Sequence, residues 1–423
     1  MTQAMAMGAG ERRTLTLICT GHFMSHFWSI TMPALFTVLS SVFHVNFVQL
    51  GLMMTVYSIA NAVCQIPCGV IVDRYGPKWI LVAGIFLNGI AFAGCALAPN
   101  YATLLILMLI AGAGQAVFHP ADYAILSALF PKERAGKTYA VHTFMGFSGG
   151  AAAPIIVAGL ASIFNWQVSL AVTGLIGIGV GLLIAALMQA PELEAAAPKV
   201  VGDQTKDSGG SWRTGTSYML SRTLLLLFGF FVFSSMYMSG IRSFLPSTLT
   251  ALFDMSNGTA NAMLTAFMTA LAIGVLIGGV FADRTTNQSR TINACMFIGV
   301  VLMVLLAVFR LPDWALFLVL IVAGLAQGAV SPSRDKLVRE AAPQGSAGKS
   351  FAFVSVGLSV GGIVAPLALG ALLDQGDAAL VFWVLAVFSV IAMLTVIFPG
   401  RSKPGALAGA ASRAKDAVAA SRS

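Results

Sequence analysis

The chain has 423 residues, 58% of them hydrophobic and only 9% charged, with a formal net charge of +8. A soluble domain carries roughly 25% charged residues, so this composition excludes a water-soluble globule and points to a bilayer as solvent. No Asp, Glu, Lys or Arg occurs in 14–72, 79–121 or 138–191, and each run is long enough for two spans of ~20 residues joined by a tight turn. The turns show as HVNF near Asn46, APNY near Asn100 and NWQ near Trp166. Along the chain, twelve helices are predicted at 15–40, 48–72, 79–97, 103–130, 137–161, 168–189, 223–249, 259–282, 291–309, 313–333, 348–373 and 379–398. The first is too long for a cleaved signal peptide and has no small-residue cleavage site before a polar start.

Between the sixth and seventh spans, a linker containing VGDQTKDSGGSW divides the helices six and six. The expected organisation is a terminus at 1–14, a six-helix bundle at 15–190, a linker at 191–222, a second bundle at 223–398 and a basic tail at 399–423. Of the 24 Lys and Arg residues, Arg310 alone falls in the loops opposite the termini, with Arg242 and Arg334 within or at the ends of spans. Positive loops stay inside, so both termini are expected in the cytoplasm and the chain in the inner membrane. The positive balance is therefore loop and lipid-facing charge, and no nucleic-acid partner is expected. All five cysteines lie in apolar spans and read as small packing residues; Cys64 and Cys68 lack the spacing and hard partners of a metal site.

The two halves repeat. AGAGQAVFHP at 111–120 lies over AGLAQGAVSP at 323–332 with an offset of 212, which also carries Pro131 to Pro343 and Pro154 to Pro366. A shift of 210 places Gly69, Asp73 and Arg74 on Gly279, Asp283 and Arg284. A duplicated six-helix unit is the organisation of one large class of secondary transporters. GVIVDRYGPK at 69–78 resembles the Gly-x-x-x-Asp-Arg-x-Gly-Arg/Lys-Lys loop of the major facilitator superfamily, and GVFADR is its echo in the second half. GHFMSHF and GAGQAVFHP resemble the fosmidomycin-resistance branch of that superfamily. The resemblance covers about 15–398. It implies an all-α integral membrane protein of twelve transmembrane helices in two pseudo-symmetric six-helix bundles.

Residue chemistry gives the loop a purpose of its own. Gly69 lacks a side chain, which allows two helices to approach. Asp73 sits at the C-terminal end of its helix, where its charge opposes the helix dipole and needs an outside partner. The resemblance implies that this partner is the N-terminus of the eleventh helix, near Lys349. It also implies a charge cluster of Arg74 with Glu133 that breaks as the carrier opens inward. Gly76, Lys78, Asp283 and Arg284 complete the gating set.

Ionisable groups inside spans are costly and are functional candidates by default. The first helix carries His22, His26, Ser29 and Pro33; the seventh carries Ser235, Ser239, Arg242 and Pro246 at the same spacings, an offset of 213. The resemblance implies that the first, fourth, seventh and tenth helices line a central cavity. Arg242 offers a fork suited to carboxylate or phosphonate, with an internal salt bridge or snorkelling to the outer surface as the rival readings. The substrate set is Arg242, His22, His26, Ser239 and His119. Asp122 and Arg334, an acid and a base at equivalent repeat positions, are candidates for a gating pair. GFSGG at 146–150 matches a hydrolase signature only in letters, since it lies in a membrane helix, and no phosphate-binding Gly-Lys-Ser/Thr loop is present. No enzyme and no cofactor are expected; a proton is the candidate coupling ion, and a monomer is expected. The expected activity is transport of a small organic solute, foremost an organic anion, by alternating access. Efflux of drugs by proton antiport and a non-transporting membrane sensor are the alternatives.

Overall fold

The computed structural model describes residues 7–130, 132–188, 217–342 and 347–397, with backbone alone at 132–137, 217–218 and 347–349. Among them are twelve helices long and apolar enough to cross a membrane. We number them α1 (Ala9–Phe43), α2 (Phe47–Tyr75), α3 (Pro77–Cys95), α4 (Tyr101–Leu129), α5 (Lys132–Ile163), α6 (Trp166–Leu187), α7 (Arg222–Phe253), α8 (Asn257–Arg284), α9 (Gln288–Val308), α10 (Asp313–Ala341), α11 (Ala347–Asp374) and α12 (Ala379–Ile397). Across these twelve spans Ala9 and Ile397 lie on one side, here the terminal face; the other is the distal face. Several starts carry a side-chain cap: Asn46, Asn100, Asn165 and Ser256 each accept a backbone N–H three residues on, satisfying a donor the helix itself leaves unpaired.

Two helices are interrupted, both at prolines. In α1 a 3-10 turn at Pro33–Leu35 separates the long first segment from a short second one. α4 breaks between Gln115 and Phe118, just before Pro120. That proline has no N–H for the carbonyl four residues back, and Ala116 instead donates to Ala113 at 3.3 Å in a tighter turn. By contrast α10 takes Pro332 inside the helix and runs on to Ala341, past its predicted end at 333.

Packing repeats with the sequence. α1 packs on α5, α2 on α4 and α3 on α6; six helices later, α7 packs on α11, α8 on α10 and α9 on α12. Between the halves, α2 packs on α11 and α5 on α8. Lipid provides no hydrophobic drive for such pairing, so small residues that permit close backbone approach must supply it through dispersion. The clearest instance is α8 against α10. A Cβ on Gly274 would overlap the Leu325 carbonyl, one on Gly324 the Phe267 carbonyl, and one on Gly328 the Leu271 carbonyl.

At the distal face the seam between the halves is shut. The Phe47 and Val48 N–H groups donate to the two Asp374 carboxylate oxygens at 2.7 and 2.9 Å, and Thr55 Oγ1 donates to the Ile363 carbonyl at 2.8 Å. Asn261 Nδ2 donates to the Ala34 carbonyl at 3.2 Å, and the fully buried rings of Phe36 and Phe244 meet at 5.5 Å. Deeper, towards the terminal face, His119 and Tyr123 are exposed, so the interior is open on that side.

The α8–α10 contact gives a paired test. Gly328→Leu drives a side chain into backbone and should cost ~1–3 kcal/mol of stability, seen as a lower melting temperature of purified protein. Gly279→Leu, whose Cβ meets nothing within 4 Å, should melt like the parent.

Candidate functional site

The break in α4 sets His119 and Asp122 on a short segment that turns towards α1. Small residues then bring α5 in: a Cβ on Gly146 would strike the rings of His22 and His26, and one on Gly149 the Phe23 carbonyl. The result gathers four of the chain's five histidines around one acid. His142 Nε2 hydrogen-bonds Asp122 Oδ2 at 2.9 Å, and His22 Nδ1 lies 3.2 Å from the same oxygen. The His22 and His142 rings stack at 3.8 Å between centroids; His26 and His119 stand 4.8 and 5.8 Å from His22. Asp122 is 0% exposed and His142 1%. Asp122 Oδ1 has no hydrogen-bond partner.

His22, Asp122 and His142 bring donor atoms within 4.8 Å of one another, close enough to hold a metal ion. Two imidazole nitrogens and a carboxylate oxygen are donors zinc accepts. Here, though, both nitrogens converge on the same carboxylate oxygen and their rings lie stacked. One hydrogen bond joins the set, between His142 Nε2 and Asp122 Oδ2, while His22 Nδ1 has no hydrogen-bond partner.

His142 is absent from the residues singled out in the sequence. Its signal was present, as an imidazole inside the uncharged run 138–191, but no motif or repeat partner marked it. Only the approach of α5 to α1 makes it a partner of Asp122.

The other half presents Arg242. Its Nε is sealed from solvent without a hydrogen-bond partner, and among the described residues it forms no ion pair. His26, Ser29, Ser235, Ser239 and Arg242 are all partly exposed, as expected of two stripes facing an open interior. Ser235 is held by donating to the Leu358 carbonyl at 2.6 Å.

The expected pair of Asp122 with Arg334 is not formed. Asp122 is taken by the imidazoles, while Arg334 binds its neighbour Asp335 at 2.9 Å and stacks over Phe231 at 4.8 Å. The reason is reach: Asp122 turns into the α1–α5 contact, away from α10.

Around the α2–α3 loop, Gly76 has φ +83° and donates its N–H to the Val72 carbonyl at 2.9 Å. This is the left-handed turn that favours glycine. Gly69 differs from expectation, since a Cβ there would meet nothing within 4 Å; the terminal end of α2 stands away from its neighbours with the interior open. Asp73, Arg74, Asp283 and Arg284 are exposed. Arg74 lies over the Tyr75 ring at 5.3 Å, and Lys78, 8% exposed, over Trp79 at 4.6 Å. The side chains of Glu133 and Lys349 lie outside the described residues.

Comparison with known proteins places this geometry. The chain is 23% identical over 391 residues to the fosmidomycin resistance protein of Escherichia coli, covering 91% of this chain and 92% of that one. It is 24% identical to the hexuronate transporter of Bacillus subtilis, over 84% of this chain and 87% of that one. Among solved structures, a bacterial homologue of the human lysosomal transporter Spinster, in an inward-facing and occupied conformation, superposes with a TM-score of 0.78. That pair shares 15% identity and covers 94% of this chain and 98% of the other. The Major Facilitator Superfamily profile matches residues 17–247 and 227–421. With twelve spans, a duplicated six-helix plan and that match, the chain belongs to the Major Facilitator Superfamily of secondary transporters, which are not enzymes.

Proposed function

We propose that this transporter carries a small organic anion together with a proton by alternating access. The observation that carries the reading is Arg242, a guanidinium inside a span whose Nε is sealed from solvent without a hydrogen-bond partner and which forms no ion pair among the described residues, while the other half holds the buried acid Asp122. A charge in the low-dielectric interior needs a counter-charge. With neutral imidazoles the cluster of Asp122, His22 and His142 carries −1, and Arg242 carries +1, so the empty carrier is balanced. An anion on Arg242 removes that balance, and one proton taken up by the cluster restores it. Fully empty and fully loaded carriers are therefore neutral, whereas either half-loaded form carries an unpaired charge. Only neutral forms cross the occluded state cheaply, which couples one monoanion to one proton.

The similarity to a hexuronate transporter fits an anionic cargo, and the similarity to a fosmidomycin resistance protein leaves outward transport as the competing direction. His26 and Ser239 flank Arg242 as further contacts for the solute, and exposed His119 provides proton access from the open interior. Asp73, Arg74 and Lys78 act with Glu133 as the gate on the terminal face, as do Asp283 and Arg284 in the second half. The positive-inside rule supports a cytoplasmic terminal face, and we propose further that the protein resides in the inner membrane and works as a monomer.

The anion site is tested by thermal shift and uptake with hexuronates and simple carboxylates. Arg242→Lys loses the bidentate fork and should weaken affinity by about 1–3 kcal/mol, roughly 5- to 150-fold; Arg242→Ala should weaken it further. Normal transport by both variants would remove Arg242 from the site and put efflux of drugs ahead.

Coupling is tested in proteoliposomes. Asp122→Asn cannot carry the cluster's charge, so solute exchange at equal pH should persist while accumulation driven by a pH gradient disappears. Loss of both together, or retention of both, would contradict the charge balance. Orientation is read with cysteines at Asn257 and Asn287: in intact cells an impermeant thiol reagent should label the first and spare the second.

A further inference from the structure

The first turn of α2 accounts for all four of its otherwise unpaired N–H groups. Asn46 accepts from the Gln49 N–H at 2.9 Å, and Gln49 returns a bond to the Asn46 N–H at 3.0 Å. The Leu50 N–H donates to the Asn46 carbonyl at 3.1 Å. That leaves Phe47 and Val48, and neither is satisfied within its own half. Both donate to Asp374, one to each carboxylate oxygen, at 2.7 and 2.9 Å.

Asp374 is the last residue of α11. A negative charge at that position opposes the dipole of its own helix and favours the N-terminus of another. The approach is close on both sides. A Cβ on Gly370 would overlap the Phe47 carbonyl, and one on Gly51 the Pro366 carbonyl. No other acid is seen to hydrogen-bond across the seam among the described residues.

We infer that Asp374 is a positioning residue of the transport cycle: a distal latch that holds this conformation by capping α2 from the opposite half. Opening the distal face separates α2 from α11, strips two N–H groups of their acceptor and leaves Asp374 against its own helix dipole. The cost falls only on the distal-open state. The latch therefore sets the ratio of the two conformations without touching solute, and it holds whether or not the cargo is an anion. Asp73 occupies the corresponding place near the end of α2, and here it is exposed while Asp374 is engaged. One helix pair thus carries an acid at each end.

Two reporters read the ratio in purified protein in nanodiscs, in a background with the five native cysteines replaced. Ala34→Cys is sealed in the distal seam at 1% exposure, and Tyr123→Cys lies in the open interior at 45%. Asp374→Ala should raise maleimide labelling at position 34 by about 3- to 30-fold, the range expected for losing a cap with its dipole contact, and lower it at position 123. Asp374→Asn keeps an acceptor without the charge and should shift both in the same sense by less. A folding defect would raise labelling at both positions. Raised labelling at both, or no change at either, would overturn the latch.

Discussion

A carboxylate buried in the bilayer core with no fixed cation beside it governs how this molecule is built. Asp122 has 0% exposure and its partners are imidazoles. To satisfy it, three helices must converge within hydrogen-bond distance. That convergence needs glycines on α5 where it crosses α1, and a break in α4 before Pro120. A helix running straight through 115–118 would carry His119 and Asp122 on a different face. The local irregularities are thus consequences of one electrostatic demand, met at backbone cost in a solvent that forgives none.

The spans were legible because the bilayer imposes length and apolarity on every one of them, and because charge-free runs survive without any alignment. The superfamily loop was legible because Asp73, Arg74 and Lys78 stand out against such a background. Contacts were not. Asp122 and Arg334 sit at equivalent repeat positions, which suggested a pair; the repeat fixes where a residue lies along its helix and leaves open which neighbour it turns to. His142 is the converse case, a buried partner of Asp122 with no motif, visible only once α5 is set against α1. Gly69 shows a third limit: a glycine in a helix suggested a close approach, and the structure brings nothing within 4 Å of a Cβ there.

Helix ends carry much of the remaining logic. At the distal seam, two N–H groups that α2 cannot satisfy itself become the attachment point for α11. In the apolar core such groups would have to be buried internally; at the membrane surface they are spare valence, available in one conformation and hydrated in the other. The same helices meet carbonyl to glycine a turn further in, so a short-range contact and a longer-range charge act on one joint.

The repeated pairing of α1 with α5, α2 with α4 and α3 with α6 has a consequence of its own. The duplicated scaffold is preserved, yet at three repeat positions an ionisable side chain in one copy stands over a small hydroxyl in the other: His26 over Ser239, Ser29 over Arg242, and His119 over Ser331. On the proposed mechanism the copies divide labour, one holding the exchangeable proton and the other the permanent charge. A molecule of this kind has two levers set in repeated mounts, so selection can retune cargo by editing one copy while leaving the other's energetics untouched.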